Sequence, residues 1–237
     1  MSDQINSLEL RNAYDERFQN NDLRDSDSFY RWVFKRLPAV PGQTLLDVAC
    51  GSGRLLYHAR QAGLWTLGID FSIEGLRRER GIDAAGELAL ADGQSLPLPD
   101  QSMDYITNLG SLEHFINPGT GIQEMARVLK SNGVVAIVLP NAFYAGDLIW
   151  WVWRKGRSAS HKQPIERFAA YDNWRELLED NGLKVFKGWR YNFMFPRNRL
   201  DIEFYRRFPR KLIDLAVSPF IPYHFSYSFL YLCKKAL

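Results

Sequence analysis

A small-residue loop and an acid further along the chain are the first residues here that could do chemistry. The loop follows the apolar run Thr44–Val48 and contains Ala49, Gly51 and Gly53. Glycines at a strand-to-helix turn let a ligand approach the backbone, and the following helix presents unpaired N–H groups and a positive dipole end. Asp70 ends the next apolar run, where an acid can bind both hydroxyls of a ribose. This combination indicates a site for a cofactor that contains a nucleoside.

The glycine spacing distinguishes between such cofactors. The dinucleotide fingerprint G-x-G-x-x-G requires a third glycine, and reading from Gly51 places Leu56 at that position. Asp47, just before the loop, is also foreign to this fingerprint. It could hold a cation, such as the amino group of a methionine moiety, and an acid on a buried strand needs a partner. A nicotinamide-nucleotide oxidoreductase is therefore disfavoured, and it is kept as an alternative hypothesis.

Residues 45–53 read Leu-Leu-Asp-Val-Ala-Cys-Gly-Ser-Gly, which resembles the first motif of the class I S-adenosylmethionine-dependent methyltransferases. The resemblance is to the type 11 group, related to ubiquinone- and menaquinone-pathway enzymes, although Ala49 replaces its first glycine. Further segments resemble the family's later motifs, in order, at Gly68–Ser72, Ala91–Asp100, Asp104–Asn108, Leu109–Phe115 and Glu124–Lys130. Several ordered motifs are far more specific than one glycine loop.

The resemblance implies S-adenosyl-L-methionine as the cofactor and assigns a role to each matching residue. The methionine end would be held by Asp47, by the loop residues Ala49, Gly51 and Gly53, and by the backbone of Leu109. Ribose would be bound by Asp70, and adenine by Phe71, Asp92 and Gly93. Tyr14 of the N-terminal helix is a further candidate for closing the pocket.

His114 lies just after the predicted fourth strand, near where the methyl donor should point. An imidazole titrates near neutral pH, so it could remove a proton from a substrate hydroxyl. The alternative is a structural histidine that orients its loop. Some relatives bind a metal through Glu-x-x-Glu-His here, but the first glutamate is Gly110 in this chain, so no metal is expected.

Other chemistries lack their required residues. Enzymes that methylate amide or base nitrogens carry Asn/Asp-Pro-Pro-aromatic after the fourth strand, where this chain has Asn108 followed by Leu109, Gly110 and Ser111. Neither Cys50 nor Cys233 follows a proline, as a cytosine C5 nucleophile would. Two cysteines also give no disulfide framework, which fits a reducing cytoplasm.

Apolar periodicity and turn residues predict the elements that position these side chains. Short apolar strands that alternate with helical segments predict an α/β fold with a doubly wound, mostly parallel sheet. The resemblance implies a Rossmann-like sheet whose last strand is antiparallel. We predict helices over 5–37, 54–61, 73–80, 120–129 and 171–181, and strands over 44–48, 65–69, 87–90, 103–108, 133–139, 183–190 and 227–233.

Length and pattern predict one domain over 1–237. It divides into an N-terminal helical cap (1–40), a cofactor-binding core (44–141) and two substrate-side insertions, which interrupt the α/β alternation at 142–168 and 191–224. Residues 199–215 of the second insertion predict two short amphipathic helices, because Pro209 interrupts a single one.

Charge is distributed unevenly along the chain. Residues 1–139 carry 13 basic and 18 acidic residues, whereas residues 140–237 carry 17 basic and 9 acidic residues. The basic second half suggests an anionic acceptor or surface, with charge spread over solvated helices as the alternative. The tryptophans between Trp150 and Trp153, followed by Arg154 and Lys155, suggest peripheral membrane contact, with core packing as the competing interpretation.

We therefore expect methyl transfer to an O, N or C nucleophile of a small-molecule or lipid-like acceptor. A catalytically inactive S-adenosylmethionine-binding partner protein is a further alternative, which the intact acids Asp47, Asp70 and Asp92 disfavour. We expect a cytoplasmic protein that does not bind nucleic acid, since no RNA-binding module is recognised. The oligomeric state is not predicted.

Overall fold

The computed structural model describes residues 6–20, 25–77, 86–160 and 163–236. Its centre is a seven-stranded sheet in the order β3-β2-β1-β4-β5-β7-β6. The strands are β1 Thr44–Val48, β2 Trp65–Asp70, β3 Glu87–Leu90, β4 Met103–Leu109, β5 Leu129–Pro140, β6 Leu183–Tyr191 and β7 Ser228–Lys235. Strands β1 to β5 pair in parallel, and β7 is antiparallel to both β5 and β6. This confirms the predicted doubly wound sheet with an antiparallel last strand.

Helices cover both faces of this sheet. They are α1 Ser7–Asn20, α2 Asp27–Phe34, α3 Arg54–Gln61, α4 Ile73–Arg77, α5 Pro118–Val128, the single turn α6 Ala145–Asp147, α7 Tyr171–Asp180, α8 Arg199–Arg207 and α9 Lys211–Val217. None of the helices in the described ranges is long and apolar enough to cross a membrane.

The single helix predicted over 5–37 is wrong, because two helices, α1 and α2, occupy this region. Ser26 precedes α2 with extended backbone angles (φ −63°, ψ 149°), which a continuous helix does not allow. Residues 21–24, between the two helices, lie outside the described residues, as do 78–80 of the helix predicted over 73–80. The other predicted elements agree with the observed ones to within a few residues.

Strand β1 shows why apolar residues stand next to each other in its sequence. Leu45 and Leu46 are both fully buried, on opposite faces of the sheet. Leu46 belongs to a cluster with Met125 of α5, whereas Leu45 belongs to one with Val33 of α2. Because both faces of the strand are covered, apolar and polar residues do not alternate along it, and the buried acid Asp47 is the exception.

The two insertions have an apolar cluster of their own, formed by Tyr144, Phe193, Tyr205, Leu215 and Ile221. In the first insertion, α6 continues into a π-helical segment, Leu148–Trp153. In the second, α8 and α9 flank Pro209, as the sequence predicts.

Helix α8 is fixed to the N-terminal region by a buried carboxylate. Asp201 accepts hydrogen bonds from the backbone N–H of Ser28 (2.9 Å) and from its hydroxyl (2.6 Å). Asn198, which precedes α8, donates its side-chain N–H to Asp27 across 2.8 Å. The second insertion therefore packs on α2 in a defined position.

Candidate functional site

A cavity of about 420 Å³ opens at the carboxyl ends of the central strands. Ligands bind at this edge in open α/β sheets, where the strand order reverses, and here it reverses between β1 and β4. The predicted site residues that line the cavity are Asp47, Ala49, Gly51, Asp70, Phe71, Asp92, Gly93, Leu109 and His114. Gly53 is not among the lining residues, and it instead occupies the N-cap position of α3.

The loop after β1 turns through left-handed backbone conformations. Ala49, Gly51 and Gly53 have φ values of +60°, +51° and +63°. This conformation costs a residue with a Cβ roughly 1–2 kcal/mol, which explains why the resembling family has glycine at the position of Ala49. The turn brings the backbone of Gly51 to the cavity wall.

Asp70 is held by two backbone donors. Its Oδ2 accepts from the N–H of Gly51 (2.8 Å), and its Oδ1 accepts from the N–H of Ser72 (2.9 Å). Burial outweighs these bonds and, with the nearby charge of Asp15, raises the pKa of Asp70 to about 6. Each carboxylate oxygen has a second acceptor position, so Asp70 can still bind hydroxyl groups.

Asp47 is buried on β1, with 4% of its surface exposed. Its Oδ1 accepts a hydrogen bond of 2.6 Å from the hydroxyl of Thr107 on the neighbouring β4. This bond orients the carboxylate at the cavity wall. The carboxylate supplies the negative charge that the ammonium group of an amino acid moiety would need.

Asp92 and Gly93 follow β3 and form part of the cavity wall. The Asp92 carboxylate accepts from the backbone N–H of Gln94 across 2.8 Å. A Cβ on Gly93 would lie 2.7 Å from the ring of Phe115 and 2.8 Å from the side chain of Val48. Only glycine fits there without displacing those neighbours.

His114 lies in a short 3-10 turn, Leu112–His114, directly after β4. Its Nδ1 is 2.5 Å from the carbonyl oxygen of Ile165 in the first insertion. Because a carbonyl can only accept, Nδ1 carries the proton, and Nε2 of the neutral ring is then a proton acceptor. The contact orients His114 and also leaves it able to act as a base, so both sequence interpretations fit the same geometry.

Several lining residues come from parts of the chain that the sequence motifs do not mark. Tyr14 of α1 donates to the side-chain oxygen of Gln163 across 3.0 Å, which joins the N-terminal helix to the first insertion. Other lining residues of this kind are Asp25, Phe29, Tyr30, Phe168, Phe208 and Tyr227. The sequence suggests Tyr14 as a residue that closes the pocket. No local pattern identifies the other lining residues, because they come together only through tertiary packing.

The charge of the cavity wall differs from that of the second half of the chain. Its charged residues are acids, and no lysine or arginine is found among the described residues that line it. The described basic residues of the insertions are thus not part of the cavity wall, although Lys211 lies behind it, 4.6 Å from the ring of Tyr227. In the described ranges, no three His, Cys, Asp or Glu side chains form a group that could hold a metal ion.

Residues 46–137 match a family model described as "Methyltransferase domain", which confirms the resemblance drawn from the motifs. The chain is 34% identical over 103 residues to a demethylmenaquinone methyltransferase of Corynebacterium urealyticum, with 44% of each chain covered. It is 28% identical over 180 residues to the ubiquinone/menaquinone biosynthesis C-methyltransferase UbiE of Cupriavidus pinatubonensis, with 67% of this chain and 74% of the relative covered. The matched region spans about half the length of the first curated relatives.

The fold is shared with a solved Burkholderia thailandensis 1,6-didemethyltoxoflavin-N1-methyltransferase, whose structure holds 1,6-didemethyltoxoflavin and S-adenosylhomocysteine. The TM-score is 0.65 at 16% identity, with 96% of this chain and 88% of that chain covered. Neither alternative function, the oxidoreductase or the inactive partner protein, is favoured by these relatives.

Proposed function

We propose that this chain, which belongs over residues 46–137 to the methyltransferase domain family, is an S-adenosylmethionine-dependent methyltransferase. The observation that carries the proposal is the convergence of Asp47, Gly51, Asp70 and Gly93 on one cavity. These four residues come from three separate motifs, which hold the methionine, ribose and adenine parts of the cofactor in the resembling family.

The side chains present fit this cofactor. Asp47, oriented by Thr107, would hold the amino group of the methionine end, and the loop around Gly51 would hold its carboxylate. Asp70 would accept from the ribose hydroxyls, and its two backbone bonds fix its position. Phe71, Asp92 and Gly93 would hold the adenine end. A volume of about 420 Å³ lies in the ordinary range of cofactor sites.

Bound S-adenosylmethionine supplies an electrophilic methyl group on a sulfonium. The protein then has to align the acceptor and exclude water, because orientation supplies most of the rate. His114 acts as the base, with Nε2 receiving a proton from the acceptor while Nδ1–H stays bonded to Ile165. Such a base adds about 10²–10⁴-fold to the rate.

The acceptor is an uncharged, lipid-like organic molecule. An anionic acceptor would need a cationic partner in the cavity, and the described lining residues provide acids and aromatic rings instead. The quinone-related names of two relatives agree with an uncharged aromatic acceptor. Methyl transfer to a carbon or an oxygen of such a ring is the reaction that the cavity suits best.

The first experiment is calorimetric titration with S-adenosylhomocysteine, with NADH as the control ligand. Micromolar binding of S-adenosylhomocysteine alone is the expected result. Binding of NADH alone would replace this proposal by the oxidoreductase. Binding of neither by folded protein would overturn the cofactor assignment.

A second part of the proposal is contact with an anionic membrane through helix α9 and the π-helical segment. The exposed side of α9 and of the turn after it is entirely apolar, formed by Leu212, Ile213, Ala216, Val217 and Phe220. These positions are one helical stripe, and the only buried residue of α9, Leu215, lies off it. A stripe of this kind indicates a surface that an apolar phase covers.

Basic residues surround this apolar surface. Trp150 of the π-helical segment lies under the guanidinium groups of Arg154 (5.2 Å) and Arg210 (5.3 Å), which links the two insertions. Trp153 is 82% exposed. Aromatic rings beside arginine suit the interface of an anionic bilayer, where the ring sits among headgroups that the cation attracts. Phe208, between α8 and α9, also lines the cavity, so a lipid-like acceptor has a short path into it.

Co-sedimentation with vesicles tests this contact. Binding to vesicles that contain phosphatidylglycerol, and weaker binding to pure phosphatidylcholine, is expected. Trp153→Ser should reduce binding, whereas Trp65→Ser should not, since Trp65 is equally exposed (74%) but begins β2 at the far end of the sheet. Equal loss in both variants, or no binding by the parent protein, would exclude the membrane surface.

A further inference from the structure

Residues 163–169 of the first insertion form a strap against the 3-10 turn that follows β4. At one end of the strap, the side-chain oxygen of Gln163 accepts a hydrogen bond of 3.0 Å from Tyr14 of α1. At the other end, Ala169 forms a parallel bridge with Asn141, directly after β5. The strap is therefore anchored to the N-terminal helix and to the central sheet.

The guanidinium group of Arg167, inside the strap, binds three backbone carbonyls of the turn and of the residues after it. Its Nη1 donates to the carbonyl oxygens of Glu113 (3.1 Å) and Phe115 (2.5 Å), and its Nη2 donates to that of Ile116 (3.0 Å). A helical segment leaves its last carbonyls without partners of its own, and the fixed fork of a guanidinium suits several of them at once. One side chain thus fixes the backbone on both sides of His114.

Arg167 is held by these carbonyls and not by a carboxylate. None of the ion pairs between described residues includes it, and burial alone lowers the pKa of its guanidinium. A cation that is partly removed from water needs hydrogen-bond acceptors, which the turn supplies. The contacts of Arg167 therefore serve to fasten the strap to this turn.

The imidazole of His114 has an acceptor on each side. Its Nδ1 is 2.5 Å from the carbonyl oxygen of Ile165, and its Nε2 is 3.7 Å from Oε1 of Glu113. A neutral imidazole has one N–H, and the hydrogen bonds around the ring decide which nitrogen carries it. Ile165 stands two residues before Arg167 in the strap, so the Arg167 contacts hold its carbonyl close to Nδ1.

We propose that Arg167 is the positioning residue that keeps the His114 imidazole in its Nδ1–H form, because it holds the carbonyl of Ile165 against the ring. Nε2 then stays available to receive a proton. Arg167 itself is not among the described residues that line the cavity, so it acts through His114. The purpose of this arrangement rests on the proposed methyltransferase function, whereas the arrangement itself can be measured without catalysis.

The test is nuclear magnetic resonance of protein labelled with ¹⁵N in its histidine rings. The chain has four histidines, and His114→Gln identifies the signals of His114 by their loss. At about pH 7.5 an unperturbed imidazole is mainly neutral, so the nitrogen chemical shifts report which nitrogen carries the proton. The parent protein should show the Nδ1–H form of His114.

Two substitutions of Arg167 should change this result to different degrees. Arg167→Gln removes the charge and the fork, and the ratio of the Nε2–H to the Nδ1–H form should rise about tenfold, the value of one hydrogen bond. Arg167→Lys keeps the charge, but an ammonium group lacks the planar fork, so its ratio should be intermediate. Arg175→Gln changes an exposed arginine that pairs with Asp172 on α7, and it should leave the ratio unchanged.

Circular dichroism and calorimetry with S-adenosylhomocysteine complete the test. An unchanged ratio in folded Arg167→Gln protein would overturn the positioning role. If Arg167→Gln does not fold, Arg167→Lys decides: a raised ratio supports the proposal, and an unchanged ratio with a lower unfolding temperature means that Arg167 only stabilises the turn. If S-adenosylhomocysteine does not bind to the parent protein, the proposed function fails, while the ratio still decides the role of Arg167.

Discussion

The backbone N–H of Gly51 donates a hydrogen bond of 2.8 Å to Oδ2 of Asp70. The bond joins the loop after β1 to the end of β2. The motif that would hold the methionine end and the motif that would hold the ribose are therefore directly hydrogen-bonded to each other. The carboxylate that is proposed to bind the ribose hydroxyls therefore also holds the loop in place.

Asp70→Ala should therefore weaken S-adenosylhomocysteine binding by more than tenfold. Hydrogen bonds to charged groups contribute about 1.5–3 kcal/mol, and the variant also loses the anchor of the loop. Calorimetry measures the change, and circular dichroism checks the fold. Asp172→Ala removes an exposed acid on α7, outside the cavity, and serves as the control. Equal affinities for parent and Asp70→Ala would remove Asp70 from the cofactor site.

Cofactor affinity should decrease as the pH falls through about 6. The pKa of Asp70 is raised to about 6 in the free protein, and only the ionised carboxylate accepts from hydroxyl groups on both oxygens. Below pH 6, binding must displace a proton, which costs up to tenfold in affinity per pH unit. Titrations with S-adenosylhomocysteine between pH 5 and 8 measure this slope. A similar slope in Asp70→Asn would assign it to another group.

The raised pKa of Asp70 also changes how the free energy of unfolding depends on pH. The folded-state pKa of Asp70 lies above its unfolded value, so the folded protein binds more protons between about pH 4 and 6. The stability that this proton binding contributes to the folded protein is therefore fully present below pH 4 and is lost as the pH rises to 6. Asp70→Asn should gain stability relative to the parent protein over this interval, by about 1–3 kcal/mol at its end. Urea unfolding at pH 4 and pH 7 measures the gain, and an unchanged difference would contradict the shift.

The sequence predicts that the proposed cofactor residues converge, because the signal for each of them is local. Each of Asp47, Asp70 and Asp92 stands at or near the end of a short apolar run, and parallel strands bring their carboxyl ends together. The structure places all three on one cavity. The rest of the cavity wall has no such signal, since residues such as Phe29 and Phe208 are distant in sequence and reach the cavity only through tertiary packing.

The N-terminal region illustrates the same limit. Helical spacing of apolar residues predicts one helix over 5–37, because the spacing alone does not show where one helix ends and the next begins. The role of Tyr14 depends on Gln163, which is brought to it by the first insertion. Local pattern and long-range packing thus decide different halves of the cavity.

His114→Ala should lower kcat about 10²-fold or more while leaving S-adenosylhomocysteine affinity nearly unchanged. The imidazole is fixed by the carbonyl of Ile165, and the residues proposed to hold the cofactor are different ones. Single-turnover methylation of a diol probe, 1,4-dihydroxynaphthalene kept reduced with ascorbate, measures the rate, and calorimetry with S-adenosylhomocysteine measures the affinity. If His114→Ala and His114→Gln both keep the parent rate, the histidine only orients its loop.

Asp201→Ala should destabilise the second insertion more than the core. Its carboxylate accepts from the backbone and hydroxyl of Ser28 and from the backbone of Arg197, and it is fully buried. Removing a charged acceptor from buried donors costs about 2–4 kcal/mol, since the donors are left without partners. Hydrogen exchange should therefore increase first in α8 and α9, with a smaller effect on β1 and β4. Glu203→Ala, an exposed position on the same helix, is the matched control.

S-adenosylhomocysteine binding should survive in Asp201→Ala while diol binding weakens, because the insertion supplies walls of the proposed acceptor side, such as Phe208. Loss of cofactor binding together with diol binding would mean that α8 supports the whole cavity rather than its acceptor side.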